Sequence, residues 1–230
     1  MKFTAPIYFL LTVSLIMASS LAFANEERPK VTIEGLQLIE DSNLALVYAE
    51  PGVDWSQYTK IYLEAPYIAF TKNWQRNQNR YEPGKISVDD MSKIKIELSS
   101  LFTDVFATTL EEGGYELVNE HGEDVLLVKP AIINLDVVAP ASSSPGITRT
   151  YSETAGEMTL YMELYDSLSG DLIAKALDRK EDRRTGYFEW KNRVTNRAAA
   201  NRILKVWANV LKEGLDDARA APPTGAESTP

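Results

Sequence analysis

The densest set of groups able to recognise a ligand lies in one polar segment, Asn73-Trp-Gln-Arg-Asn-Gln-Asn-Arg-Tyr81. Trp74 and Tyr81 offer flat apolar faces, and Arg76, Arg80 and the amides between them supply donors and acceptors. Tryptophan beside arginine is the composition of interface hot spots, so the segment suits a glycan or a peptide surface. The competing reading packs Trp74 against a sheet to pin a long loop, with the amides facing water.

Other candidates carry less. The lone histidine, His121, stands in Glu120-His-Gly-Glu-Asp124. A metal would need these groups to converge, which adjacency does not provide, so a polar turn between two strands is the expected state. Residues 166–171, Asp-Ser-Leu-Ser-Gly-Asp, imitate a calcium loop, but Leu168 occupies the third place and the glycine comes fifth rather than sixth. A hairpin loop explains them better. A Ser-His-Asp triad would have to use His121, and no serine elbow is present. Glycine-rich phosphate loops, His-Glu-x-x-His and dinucleotide fingerprints are all missing. A paired-carboxylate hydrolase stays open among the 33 acidic residues, with Glu64, Asp136 and Glu163 on strand-like segments. Ordinary solvation or salt bridging is the simpler fate of these three. The run 178–184, Asp-Arg-Lys-Glu-Asp-Arg-Arg, mixes both signs and reads as a solvated hairpin end or loop. Tyr161 and Tyr165 share the polar side of one strand, under a helix or on a binding surface.

Composition narrows the chemistry further. The chain has 230 residues, 44% of them hydrophobic, which is too many for a disordered protein. It has no cysteine, hence no disulfide, thiolate nucleophile or Cys-ligated metal. Its 24 Lys and Arg against 33 Asp and Glu give a net charge of −9, which argues against nucleic acid as a partner. No cofactor and no metal are expected.

The elements that must position these residues follow from periodicity. Residues 31–49 hold short apolar pieces, and Pro51-Gly52 marks a turn. Residues 58–70 are rich in strand formers, with a break or an edge at Pro66. A polar loop is expected over 71–85. Met91, Ile94, Leu98, Leu101, Phe102, Val105 and Leu110 recur at helical steps, predicting a helix over 88–112 capped by Ser87 and ended by Gly113-Gly114. A short strand is expected over 115–118. Residues 125–138 read as a strand with a bulge or an edge at Pro130, and 139–146 as a loop. Strict alternation then sets Met158, Leu160, Met162 and Leu164 on one face and Glu157, Thr159, Tyr161, Glu163 and Tyr165 on the other. A returning strand over 172–179 and a helix over about 190–218 follow, the helix with Ile203, Leu204, Trp207 and Leu215 in its stripe. The fold class is α+β: a mixed, mostly antiparallel sheet with two long amphipathic helices packed on it.

Residues 1–24 read as a secretory signal peptide: Lys2, an apolar stretch over 7–17, then Ala22-Phe-Ala24, with cleavage expected before Asn25. Loss of Lys2 takes the charge to −10. An uncleaved membrane anchor is the alternative, and only then would the chain be held to a membrane. Residues 25–30 are expected to be flexible, 31–218 to form one domain, and 219–230, with three prolines, to be a disordered tail. The expected location is the periplasm.

Two passages carry a resemblance: residues 51–66, Pro-Gly-Val-Asp-Trp-Ser-Gln-Tyr-Thr-Lys-Ile-Tyr-Leu-Glu-Ala-Pro, and 69–80, with its Asn-Trp-Gln-Arg core. Joined by 163–172, they resemble the bacterial domain-of-unknown-function family numbered 3313 over roughly residues 33–218. The resemblance implies an exported envelope protein and no particular activity. Many members look like lipoproteins, whereas this chain lacks the cysteine that a lipid anchor would need. The resulting expectation is a non-catalytic binding or envelope-assembly accessory domain, with an envelope protein or cell-wall glycan as partner. A carboxylate-dependent hydrolase of such glycans is the alternative.

Overall fold

Residues 28–81, 85–137, 151–152, 154–183, 189–190 and 193–221 are described by a computed structural model of the chain. The expected signal peptide 1–24, the expected loop over 139–146 and residues 222–230 of the expected tail 219–230 lie outside them. The strands are β1 (Gln37–Leu38), β2 (Leu46–Ala49), β3 (Lys60–Leu63), β4 (Tyr67–Phe70), β5 (Glu116–Leu117), β6 (Val125–Val137), β7 (Tyr151–Ser152), β8 (Thr154–Asp166), β9 (Leu172–Arg183) and β10 (Glu189–Trp190). The helices are α1 (Trp74–Tyr81), α2 (Val88–Glu112) and α3 (Arg193–Ala220).

The main sheet runs β1-β2-β9-β8-β6-β3-β5, with β4 also on β6, and a separate ribbon joins β7 to β10. β6, β8 and β9 form an antiparallel centre, as do β1 and β2 beyond them, whereas β3 and β4 run parallel to β6, and β5 to β3. The sheet is therefore mixed and the class α+β.

Proline chemistry shapes the centre. β3 ends on the pair Leu63–Val128 and β4 begins on Tyr67–Ala131, with Pro66 in the break. Pro130, expected at a bulge or an edge, instead sits in regular register with Met162. It lies opposite the gap between β3 and β4, where no strand asks for the N–H that proline lacks. The bulge comes later, between Ile133 and Asp136, where Asn134 takes φ 51°. Gly156 faces Val137 there at φ +143°, and a Cβ on it would lie 2.9 Å from the Asp136 carbonyl oxygen.

Ser87 caps α2 through a capping box with Asp90, and α2 ends at Gly113. Leu98, Leu101, Phe102, Val105, Phe106 and Leu110 of α2 join Ile203, Leu204, Trp207 and Leu215 of α3 over Leu126, Val128, Ile132, Met158, Leu160, Met162 and Leu164. One side of the sheet is thus the floor of the core.

Two expectations are corrected. The polar loop over 71–85 contains α1. The charged run 178–184 belongs to β9 as far as Arg183, where the described part ends, and Asp178 is buried, accepting from Trp207 Nε1 at 2.7 Å and from the Ala45 N–H at 3.0 Å. At the start of the described part, Arg28 donates to the Ala45 carbonyl, the Pro29 carbonyl accepts from the Tyr48 hydroxyl, and the Lys30 carbonyl from the Leu38 N–H.

Candidate functional site

The segment singled out by composition folds as an anchor. Asn73 adopts φ 63°, a conformation asparagine tolerates, and turns the chain into α1. Trp74 is only 2% exposed; it stacks on Phe70 with ring centroids 4.2 Å apart and donates from Nε1 to the Val137 carbonyl at 2.9 Å. Its flat face is therefore inside, as the pinning alternative requires, and is closed to a ligand. The amides do not simply face water. Gln75 and Asn79 both donate to the Ile86 carbonyl, and Asn79 Oδ1 accepts from the Ile86 N–H at 2.6 Å. They hold the chain entering α2 at Ile86, which packs with Trp74. Arg76 and Arg80 are exposed on α1, away from the buried ring. Tyr81 ends the helix, and its side chain lies outside the described part. The four residues do not make one surface.

His121 lies in the turn between β5 and β6, as expected. Its Nδ1 is 2.8 Å from the Ser167 carbonyl, so that nitrogen carries the hydrogen. Ser167 Oγ donates to the Gly122 carbonyl and accepts from the Gly122 N–H. Asp166 accepts from the Tyr58 hydroxyl and from the N–H groups of Leu168 and Ser169, closing the β8–β9 hairpin. Serine, histidine and aspartate are neighbours here, yet each is committed to a structural bond and none activates another.

The opposite side of the sheet gathers more. Register places side chains in rows across it: Tyr62, Leu127 and Tyr165; then Lys129, Glu163 and Lys175; then Tyr67, Ala131, Tyr161 and Leu177. Tyr67 is 67% exposed, and Tyr62, Tyr161, Glu163 and Tyr165 are half-buried. Among the described residues no helix packs on this face, although Leu127 and Thr159 within it are buried. Glu163 accepts from both flanking phenols, Tyr161 at 2.5 Å and Tyr165 at 2.8 Å. Lys129 Nζ lies 5.0 Å from the centre of the Tyr165 ring and 3.9 Å from Glu64. Lys175 pairs with Glu34 at 2.9 Å.

Burial, and then the Glu163 hydrogen bond, push the Tyr165 phenol up to about 12 and raise Tyr161 as well. Both stay neutral donors at ordinary pH. The Lys175 hydrogen bond pulls the Glu34 carboxyl down to about 2. The strip is a fixed pattern of rings and paired charges, suited to contact and not to proton transfer.

A carboxylate pair lies at the sheet's end. Asp136 and Glu157 are register partners, and partial burial followed by the charge of Glu157 raises the Asp136 carboxyl. Glu157 itself is paired with Arg179. Among the described residues no three His, Asp or Glu converge as for a metal, and no helix is long and apolar enough to cross a membrane.

The family model for the protein of unknown function DUF3313 matches residues 35–211. The chain belongs to the DUF3313 family. No curated protein matches it. Among solved structures it is similar to the PelC dodecamer from Paraburkholderia phytofirmans, at 12% identity, 72% of this chain, 96% of that one and a TM-score of 0.37. A protein from Xanthomonas campestris matches at 12% identity, 73% and 90% coverage and 0.37, and a minor lipoprotein from Acinetobacter baumannii at 11%, 68% and 94%, and 0.31. Likenesses this distant say nothing of what this member of DUF3313 binds.

Sequence reasoning noted that Tyr161 and Tyr165 share a side but passed over Tyr62, Tyr67, Lys129 and Lys175. Alternation in β4 marks Tyr67 as opposite to Ile68 and Phe70. What no single strand shows is that five strands bring these residues into register.

Proposed function

We propose that this DUF3313 member is an exported, non-catalytic accessory domain of the cell envelope, and that it binds another envelope component through the tyrosine-lined sheet face. The observation that carries the reading is the asymmetry of the sheet. One side is sealed by α2 and α3, while the other offers Tyr62, Tyr67, Tyr161 and Tyr165 around the Lys129–Glu163–Lys175 row. Tyrosine gives large contact area with a polar tip and is a recurrent interface residue. The charges around it fix orientation more than they add affinity.

The test is cross-linking capture from envelope fractions, using the wild-type chain and Tyr67→Ala/Lys129→Glu. Both residues are accessible to solvent, so the urea midpoint should hold while recovery of the partner falls about tenfold. Equal recovery from both chains ends this reading. Export is tested separately: intact mass should show a chain beginning at Asn25.

A second reading, a carboxylate-dependent glycan hydrolase, is favoured by the raised Asp136 facing Glu157. It requires release of reducing sugar from cell-wall glycan by the wild type and loss of that release in Asp136→Asn.

A further inference from the structure

The middle of the tyrosine strip consists of hydrogen-bond acceptors. Tyr161 and Tyr165 stand two residues either side of Glu163 on β8, so all three side chains leave the sheet on one side. Each phenol spends its hydrogen on Glu163, at 2.5 and 2.8 Å. Burial, and then that bond, raise both phenols, so the hydrogens stay in place at ordinary pH. What these three groups leave for a ligand is lone pairs, on two phenol oxygens and a carboxylate, with no donor among them. An anion gains nothing there, whereas a group rich in N–H finds three acceptors together.

The charge is left open as well. Register sets Lys129 and Lys175 on either side of Glu163. Lys129 turns instead to Glu64 at 3.9 Å, and Lys175 to Glu34 at 2.9 Å. Glu157, further along the same side of β8, has Arg179. Among the described residues no lysine or arginine nitrogen comes within 4.0 Å of the Glu163 carboxylate. The rings beside it are suited to a cation, since Tyr165 already has the Lys129 ammonium 5.0 Å from its centre. The chain as a whole carries −9, which draws a basic partner in.

We propose that Glu163, framed by Tyr161 and Tyr165, receives an arginine side chain from a basic segment of the envelope partner. The inference rests on the tyrosine-face reading and names the chemistry that this face takes. A guanidinium is a cation with five donors and no acceptor. Its planar fork fits a carboxylate, and its flat face lies on a tyrosine ring. Lysine supplies the charge without the fork or the plane. A neutral sugar supplies donors and leaves the carboxylate uncompensated.

The test titrates the intact chain with acetyl-Arg-Arg-Arg-amide, read by calorimetry and by the NMR signals of the Tyr161 and Tyr165 rings. The peptide should move both ring signals, and its citrulline counterpart, which has the same shape without the charge, should bind at least tenfold more weakly. Glu163→Gln should weaken the arginine peptide about tenfold, as expected for the loss of a charge-assisted hydrogen bond. Glu97→Gln makes the same change of charge on an exposed part of α2 and should leave binding as it is. Unmoved urea midpoints in both variants show that the fold is intact. Equal binding by Glu163→Gln and Glu97→Gln overturns the proposal, and so does a citrulline peptide as tight as the arginine one, which would put a neutral donor such as a sugar on the strip. The two readings fail separately. If Tyr67→Ala/Lys129→Glu loses the envelope partner while Glu163→Gln keeps it, the face binds without an arginine at Glu163. If Tyr67→Ala/Lys129→Glu keeps the partner, the face reading itself fails.

Discussion

Asp178 and Glu163 stand on adjacent strands, face opposite sides of one sheet, and are both held by aromatic donors. Asp178 looks into the helix-covered side and is 4% exposed. Its bonds join three elements: Trp207 of α3, the Ala45 N–H just before β2, and Lys180 of its own strand. Glu163 looks out from the uncovered side, and its two donors, Tyr161 and Tyr165, lie two residues away along the same strand. The first carboxylate ties the fold together. The second only arranges the surface of one strand. The same chemical pair, acid and aromatic donor, thus serves architecture on one side and display on the other. What separates them is how far along the chain the partners lie and whether water reaches the bond.

The comparison is broken most severely at the covered side. Trp207→Ala should cost about 4 kcal/mol by urea denaturation, since it opens a cavity and strips the Asp178 carboxylate of its indole donor. A loss below about 1 kcal/mol would mean that this side is not the core it is taken to be. Asp178→Ala comes next, at about 3 kcal/mol, because the Trp207 indole N–H is left buried without an acceptor and the link from Ala45 to β9 is lost. Asp178→Asn should recover part of that loss.

On the open side the expected effects are small and local. Glu163→Gln should change stability by less than about 1 kcal/mol, yet lower the Tyr165 phenol from its value near 12 toward that of ordinary tyrosine, readable as tyrosinate absorbance. In the wild type this raised phenol adds stability below the unfolded-state value near 10, and the contribution is lost as pH rises through about 12. The smallest effect belongs to Glu34. Its carboxyl is held near 2 by Lys175, so its contribution is present above pH 4.5 and fades as pH falls toward 2. Lys175→Met should flatten that acid limb of the stability profile and leave the alkaline limb in place.

Legibility followed the range of the interaction. Helix α2 was readable because its apolar residues recur within one element, and Ser87 and Gly113 punctuate it locally. The two sides of β8 were readable for the same reason: Met158, Leu160, Met162 and Leu164 are all buried. Helix α1 was not, because its sequence has one buried anchor, Trp74, and no apolar stripe to give a period. Its stability comes from Phe70, Val137 and Ile86, which the chain supplies from outside it. Asp178 was misplaced because charge composition suggests water, whereas a Trp207 donor 29 residues away makes an interior position tolerable.

By itself the sequence determined which residue types could meet a partner, which chemistries have no ligands or nucleophiles to run on, and where the long periodic elements lie. These follow from composition and from contacts a few residues apart. Tertiary structure alone decided that the tryptophan of the polar segment turns inward, that its amides serve the backbone at Ile86, and that tyrosines from β3, β4 and β8 share one face. The reason is physical: alternation tells which side of a strand a residue takes, but only the register between strands tells which neighbours it finds there.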